Sequence, residues 1–236
     1  MGDFAKNDVI AERSTRFGAR PAELWGEAVG TGFLLAGIVG SGIMAEKLAN
    51  GNVGLALFMH AATVGALLVV LVLSFGAVSG AHFNPAVTFA FWLRREIATA
   101  KAVAYVLVQL IAAIIGVVVA HLMFEMPMLA VGAQARTGAG QWLGEMVATF
   151  ALVFAILATV RHARQAVPYA VGLVVMSGIL YTSSTCFANP AVTVARAFTD
   201  TFTAIRPVDA FGFIAAQLLA AALAVGAARV ILAEQE

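Results

Sequence analysis

The chain has 236 residues, of which 61% are hydrophobic and only 11% are charged. A water-soluble domain of this length carries far more charge on its surface, so the composition predicts an integral membrane protein. The formal net charge of +1 and the lack of a basic patch argue against nucleic acid as a partner. A single cysteine, Cys186, excludes an internal disulfide and the usual multi-cysteine metal sites.

Hydropathy predicts six membrane-spanning helices, each close to the ~20 residues that cross the hydrocarbon layer of a bilayer. They follow an N-terminal segment, residues 1–21, that we expect in the cytoplasm, and residues 22–236 are expected to form one domain. The predicted spans are, in chain order, 22–46, 53–78, 101–123, 141–161, 167–185 and 208–232.

Two shorter apolar segments lie between these spans, and both begin with Asn-Pro-Ala-Val-Thr, at Asn84 and at Asn189. Asparagine is a strong helix N-cap, and proline is favoured at the first helical position. Each segment is apolar for only about ten residues, which is too few to span a bilayer. The sequence therefore predicts two re-entrant half-helices that enter from opposite faces and meet at their N-termini. The meeting residues are Asn84, Pro85 and Ala86 with Asn189, Pro190 and Ala191.

A second similarity relates the two halves of the chain. The segment LWGEAVGTGFLLAGIV (24–39) resembles QWLGEMVATFALVFAI (141–156), which places Glu27 and Glu145 at equivalent positions. Three spans and a half-helix, repeated with opposite orientation, form the inverted-repeat plan of many membrane transport proteins. The predicted fold is therefore an all-α integral membrane protein with six transmembrane helices and two re-entrant half-helices. The two repeats cover about 22–123 and 141–232.

The basic residues predict the orientation, because positive charge concentrates on the cytoplasmic side of membrane proteins. With both termini cytoplasmic, the outside receives only Lys47, Arg136 and Arg206. The inside then holds Lys6, Arg13, Arg16, Arg20, Arg94, Arg95, Lys101, Arg161, Arg164 and Arg229.

Polar groups at membrane depth are tolerated only against protein or water, so the meeting point of the half-helices predicts a water-filled path. The two asparagine amides can donate hydrogen bonds to a water or hydroxyl group in transit. Glu27 and Glu145 are expected to accept hydrogen bonds from the loops that lead into the half-helices, and a proton relay is the alternative. For His82, bracing of the first loop and pH-dependent gating both remain open.

The motif SGAHFNPAVT (79–88) and the signature Glu27-x-x-Gly30-Thr31 resemble the aquaporin family, also called major intrinsic proteins. The resemblance extends from Glu27 to the last span. It implies a homotetramer in lipid, with a pore in every protomer that passively conducts water or small uncharged solutes. It also implies a multi-pass protein of the cell membrane, expected in the bacterial inner membrane. The sequence shows no catalytic set of residues, phosphate-binding loop or clustered histidines, so we expect no enzymatic activity, cofactor or metal.

The sequence departs from the family at the narrow filter of the pore. Family members usually carry arginine directly after the second Asn-Pro-Ala, where this chain has Val192. The other filter positions, carried over by spacing, fall on Val64, Ser177 and Cys186, with Gly178 as the alternative if the register is off by one. A filter without an aromatic ring, imidazole or guanidinium implies a wide, apolar constriction. Glycerol-sized solutes are then expected to pass, with water able to follow.

The extended motif NPAVTVARAFTDTFTAIRP (189–207) is similar to a small branch of bacterial aquaglyceroporins that is associated with arsenic-resistance operons. That resemblance implies neutral arsenous acid as a solute, beside glycerol and other small polyols. The alternatives are a water-selective aquaporin and, less favoured, a secondary active transporter with ion-coupled uptake.

Arg196 and Cys186 lie near the filter, and the sequence leaves two interpretations open for each of them. Arg196 follows Val192 by one helical turn, so it lies nearer the outer mouth. It either lines the pore there or pairs with Asp200. Cys186 is either a small buried side chain or a thiol that faces the pore.

Overall fold

The computed structural model describes residues 18–233, and in this range it contains eight α-helices and no strand. The helices are α1 (Pro21–Ala49), α2 (Val53–Ser79), α3 (Pro85–Leu93), α4 (Thr99–Met123), α5 (Ala139–His162), α6 (Val167–Tyr181), α7 (Pro190–Ala195) and α8 (Pro207–Ile231). Two short 3₁₀ turns adjoin them, Arg164–Ala166 before α6 and Arg196–Phe198 after α7. Most of the predicted cytoplasmic segment, residues 1–21, lies outside the described residues.

Five of the six predicted spans are helices long and apolar enough to cross a membrane, namely α1, α2, α4, α5 and α8. The prediction for 167–185 was too long, because α6 has only 15 residues and ends at Tyr181. The cause is Thr182, whose backbone N–H and side-chain hydroxyl both donate to the carbonyl of Gly178, at 3.1 and 2.7 Å. The same hydroxyl accepts from the N–H of Cys186 at 3.1 Å, which turns the chain into the second loop.

The two halves of the chain pack in the same way. In the first half, α1 lies against α2 and α4, and in the second half α5 lies against α6 and α8. Helices α2 and α6 then contact each other across the two halves. The short helix α3 packs on both α4 and α8, and so does α7. This arrangement agrees with the predicted repeat of three spans and one half-helix.

Glycines allow the closest helix crossings. A Cβ placed on Gly116 of α4 would lie 2.3 Å from the carbonyl oxygen of Gly32 in α1. A Cβ on Gly172 of α6 would lie 2.5 Å from the carbonyl oxygen of Gly65 in α2. Helices in lipid pack through such small residues, because no hydrophobic driving force brings them together. The two crossings fix the positions of α1, α2, α4 and α6 around the centre.

Both half-helices begin as their caps predict. The Asn84 side-chain oxygen accepts from the N–H of Ala86 at 2.8 Å, and the Asn189 side-chain oxygen accepts from the N–H of Ala191 at 2.9 Å. Helix α3 has nine residues, whereas α7 has six and continues as the 3₁₀ turn Arg196–Phe198. The second half-helix is therefore tightened in its last turn, which is common at helix ends.

Candidate functional site

The two loops that precede the half-helices are joined to each other by their asparagines. The Asn84 amide nitrogen donates to the carbonyl of Ala188 at 2.7 Å, and the Asn189 amide nitrogen donates to the carbonyl of Phe83 at 2.8 Å. An amide carries two N–H donors, so each asparagine keeps one donor beyond this bond. Both asparagines line the same cavity, which places two free donors in its wall.

Glu27 holds the first loop. Its carboxylate is fully buried and accepts from the hydroxyl of Ser79 at 2.7 Å and from the backbone N–H groups of His82 and Phe83 at 2.9 and 2.7 Å. The amide of Gln109 donates to it at 2.8 Å. A buried carboxylate with four donors is fully satisfied, and it fixes the backbone that leads to Asn84.

Glu145 occupies the equivalent place in the second half. It accepts from the backbone N–H groups of Phe187 and Ala188 at 2.9 and 2.8 Å, and from the amide of Gln217 at 2.5 Å. Gln217 also donates to the hydroxyl of Thr193 in α7, at 2.9 Å. Loop, half-helix and spanning helix are thereby tied to one carboxylate.

Two glutamines of this network were not predicted from the sequence. Gln109 in α4 and Gln217 in α8 are fully buried and make matching bonds, each to a glutamate and to a half-helix threonine. The signal was present, because each is the only amide side chain in its spanning helix and is flanked by apolar residues. Polar residues inside spans usually face the protein interior and have a partner there.

The backbone of both loops turns into the left-handed region at matching positions. Ala81 and Phe83 have φ of 51° and 49°, and their counterparts Cys186 and Ala188 have φ of 50° and 47°. Residues other than glycine rarely adopt this conformation, and it persists only where the surroundings impose it. Here the bonds to Glu27 and Glu145 impose it.

This backbone leaves carbonyl groups free. Within the described part of the chain, the carbonyl oxygens of residues 80–82 and 185–187 accept no hydrogen bond. All six residues line the same cavity as the two asparagines. Unpaired acceptors are costly against protein but are satisfied by water or a hydroxyl group, so these carbonyls form a polar track along one side.

The cavity itself, which we call the passage, runs between the spanning helices beside both loops. Its volume of about 100 Å³ leaves room for only a few water-sized molecules. Apart from the loop track, its wall is mainly aliphatic, with α6 presenting Val167, Val171, Val175 and Ile179 at helical spacing. An apolar wall with one polar track admits neutral polar molecules and offers no full hydration shell to an ion.

Three of the four predicted filter residues, Val64, Cys186 and Val192, line the passage. Ser177 does not, so that assignment was wrong. It is exposed, and its hydroxyl donates to the carbonyl of Val174 at 3.0 Å. The physical reason is the phase of α6, because residues 175 and 179 face the passage and 177 points away. Gly178, the alternative register, packs against Cys186, since a Cβ there would lie 2.7 Å from its sulfur.

His82 lies at the end of the passage near the first loop. Its backbone N–H bonds to Glu27, its ring Nδ1 lies 3.0 Å from the hydroxyl of Thr88, and the ring stacks on Phe91 at 4.8 Å. Cys186, at the other loop, is a free thiol and only 4% exposed. Among residues 18–233 no group of three histidine, cysteine or acidic side chains is placed to hold a metal ion.

Arg196 does not pair with Asp200. The Asp200 carboxylate accepts from the backbone N–H of Ala133 at 3.1 Å, whereas the Nε of Arg196 donates to the carbonyl of Thr203. The guanidinium carbon lies 3.3 Å from the centre of the Phe187 ring, a cation–π contact. Arg196 is 4% exposed and lines the passage, so it faces the path of a solute.

A second cavity of about 520 Å³, which we call the vestibule, continues from the passage on the side of Arg196. Arg136 lines it and donates from Nε to the carbonyl of Ala204 at 2.7 Å. Burial lowers the pKa of Arg136 to about 10, which leaves this arginine charged at neutral pH. The vestibule is lined by two guanidiniums, Arg136 and Arg196, and by two carboxylates, Glu46 and Asp200, and Arg196 is the one of these four side chains that also lines the passage.

Comparison with known proteins agrees with this architecture. The family model described as "MIP: Major intrinsic protein" matches residues 19–187. The chain belongs to the major intrinsic protein family. Members of this family are membrane channels for water and small solutes, and the chain is one of them.

Individual relatives support the assignment. The chain is 50% identical over 206 residues to "Aquaglyceroporin AqpS" of Rhizobium meliloti, covering 87% of this chain and 88% of that protein. It is 35% identical over 175 residues to "Probable aquaporin TIP1-2" of Oryza sativa subsp. japonica, covering 68% of each. The solved aquaglyceroporin of Plasmodium falciparum shares the fold with a TM-score of 0.70 and 18% identity, covering 90% of this chain and 97% of that one.

Proposed function

We propose that residues 22–236 form one channel domain that passively conducts water and small uncharged solutes of glycerol size through the passage. The observation that carries the proposal is the polar track of six free carbonyls and two asparagine donors in an otherwise aliphatic wall. A hydroxyl group both donates and accepts, so it can exchange water for this track in steps. In this proposal Asn84 and Asn189 contact the solute, while Glu27 and Glu145 brace the loops.

Arsenous acid belongs to the same solute class, because it is neutral and carries three hydroxyl groups, as glycerol does. Two observations support both solutes: the aquaglyceroporin relative that covers most of the chain, and the aliphatic section around Val64 and Val192. The thiol of Cys186 lies in the same wall and is the one soft ligand that trivalent arsenic would meet among the described residues lining the passage. The proposal needs no bond between them, since a channel must release its solute.

The test is a pair of osmotic shocks on proteoliposomes, followed by light scattering. In sucrose the vesicles should shrink rapidly as water leaves, and in glycerol they should shrink and then reswell. Reswelling in glycerol without any ion gradient establishes a passive solute channel. Shrinkage without reswelling would show a water-selective pore. Saturable uptake that requires a proton or sodium gradient would instead show a secondary transporter.

The valine at the family's arginine position gives a second prediction. Val192→Arg puts a long cation into the aliphatic section of the passage, where Val192 is 2% exposed. Glycerol flux should fall about tenfold or more, since a few kcal/mol of steric and desolvation cost act on the larger solute. Water flux should fall much less. Val174→Arg, on a half-buried position of α6 outside the passage, is the control, and equal losses of glycerol and water flux would contradict the prediction.

Topology and assembly complete the proposal. The charge bias of the loops supports cytoplasmic termini in a bacterial inner membrane. The exposed apolar side chains of the spanning helices, for example Phe33, Leu107 and Phe211, fit a lipid-facing or subunit-facing surface of a homotetramer. Native mass spectrometry from mild detergent should show four copies, and a stable monomer would contradict the tetramer.

A further inference from the structure

The boundary between the passage and the vestibule is formed by a small set of residues. Only His60, Thr185 and Arg196 line both cavities within the described range, so these side chains surround the opening that joins them. We call this set the neck. His60 precedes Val64 by four residues in α2, and Arg196 follows Val192 by four residues. The neck therefore lies about one helical turn from the level of Val64 and Val192, on the vestibule side.

Arg196 contributes the donors of the neck. Its Nε bonds to the carbonyl of Thr203 and its plane lies over the ring of Phe187, which together fix the guanidinium. Its two terminal nitrogens have no protein acceptor among residues 18–233. Because Arg196 also has no carboxylate partner there, these N–H groups remain available to a passing oxygen atom.

His60 contributes an acceptor. The hydroxyl of Ser41 bonds to the carbonyl of Ile38 at 3.1 Å and lies 2.9 Å from His60 Nδ1. We assign the single hydroxyl proton to the carbonyl, which makes Ser41 Oγ the acceptor for a proton on His60 Nδ1. In a neutral imidazole with the proton on Nδ1, Nε2 carries a lone pair and accepts. The edge-to-face contact with Phe202, at 6.2 Å between ring centres, holds the imidazole in this orientation.

We propose that the neck selects the solute, by holding one hydroxyl group of a neutral polyol between the Arg196 donors and His60 Nε2. This inference rests on the proposed solute channel and deepens it, because it moves the selective step away from Val64 and Val192. A hydroxyl group satisfies both partners at once. A cation meets the fixed charge of Arg196, and an alkyl group leaves both polar partners unpaired.

The transport test asks whether polyol selectivity depends on the neck or on Val64 and Val192. Proteoliposomes are given glycerol, erythritol and xylitol at equal osmolarity, and the xylitol-to-glycerol flux ratio is recorded for each variant. Arg196→Ala and His60→Ala should each raise this ratio about tenfold, because removing either side chain widens the neck, which favours the longer polyol over glycerol. Arg196→Lys keeps the charge and should raise it less. Val64→Ala and Val192→Ala shorten side chains one turn away and should change the ratio less than either neck variant.

A side-specific labelling test does not depend on transport. In a Cys186→Ala background, Leu57→Cys lies in the vestibule and Val64→Cys in the passage, on opposite sides of the neck. A bulky, membrane-impermeant methanethiosulfonate added on the vestibule side should modify the thiol at position 57 quickly and the thiol at position 64 slowly. Adding Arg196→Ala should raise the rate at position 64. The imidazole ¹⁵N spectrum of His60 should show the proton on Nδ1.

The possible results separate the two proposals. A wild-type protein that excludes every polyol would remove the proposed solute channel and, with it, the polyol as the ligand of the neck, while faster labelling at position 64 in the Arg196→Ala variant would still place the constriction at the neck. A wild-type glycerol channel in which the valine variants change the polyol ratio most would overturn the neck. Equal labelling at positions 57 and 64 would overturn it as well, even if the Arg196→Ala variant does not fold.

Discussion

Glu145→Ala should abolish glycerol flux and lower the stability of the protein by about 3–5 kcal/mol, because it leaves several buried donors without an acceptor. The carboxylate is fully buried, and it accepts from the N–H groups of Phe187 and Ala188 and from Gln217. Without it the second loop loses the bonds that impose its left-handed residues. Thermal unfolding in detergent, followed by tryptophan fluorescence, measures the stability. Glu46→Ala, an exposed glutamate of α1, should leave the unfolding temperature nearly unchanged.

A double swap tests whether the carboxylate acts through these bonds. Glu145→Gln replaces one of the two carboxylate oxygens with an NH2 donor, so at least one of the three groups that donate to Glu145 loses its acceptor. Adding Gln217→Glu in the same chain restores a donor and an acceptor between the two positions, and the hydroxyl of Thr193 must then turn its proton from the carbonyl of Asn189 to the new carboxylate. The double variant should therefore recover part of the stability that Glu145→Gln loses. A double variant less stable than both single ones would show that the charge itself at position 145 matters.

Gly116→Ala should destabilise the protein by about 2–3 kcal/mol, because a single methyl group overpacks the crossing of α1 and α4. The added Cβ would lie 2.3 Å from the carbonyl oxygen of Gly32 and 2.8 Å from the Cβ of Leu35. A backbone carbonyl within a helix does not rotate away as a flexible side chain does. For a protein of this size we expect the unfolding temperature to fall by about 4–10 °C.

Gly226→Ala is the matched control for Gly116→Ala. Gly226 lies in the spanning helix α8, and a Cβ there meets no atom within 4 Å. Alanine has the higher helix propensity, so this variant should be neutral or slightly stabilising. If Gly116→Ala also leaves the unfolding temperature unchanged, α1 and α4 can move apart without cost. That result would contradict the claim that this crossing fixes the positions of the helices.

The fold was predictable from the sequence because its signals are local. Hydropathy and the paired Asn-Pro motifs place each helix within a few residues, and only the end of α6 differs clearly. That end depends on the hydroxyl of Thr182, which bonds both back to Gly178 and forward to Cys186. Hydropathy does not show whether a threonine hydroxyl continues a helix or ends it, so this helix end could not be predicted from the sequence.

The candidate site was less predictable, because it depends on which face of a helix turns inward. Ser177 was assigned by spacing along the chain, whereas the phase of α6 directs Val175 and Ile179 into the passage. The position of Arg196 against Phe187, and its separation from Asp200, depend on the carbonyl of Thr203. These contacts arise from tertiary packing, and no periodicity in the sequence reports them.

The exchange of hydrogen bonds between the two loops has a consequence for biosynthesis. Asn84 bonds to a carbonyl 104 positions further along the chain. During translation the first half is in the membrane well before Ala188 leaves the ribosome, so its half-helix has no counterpart until the second half is inserted. Both loops are needed to form the wall of the passage, so no conducting path exists before then. A truncated or stalled chain is therefore expected to leave the membrane sealed, and the cell is protected from leakage while the protein is being made.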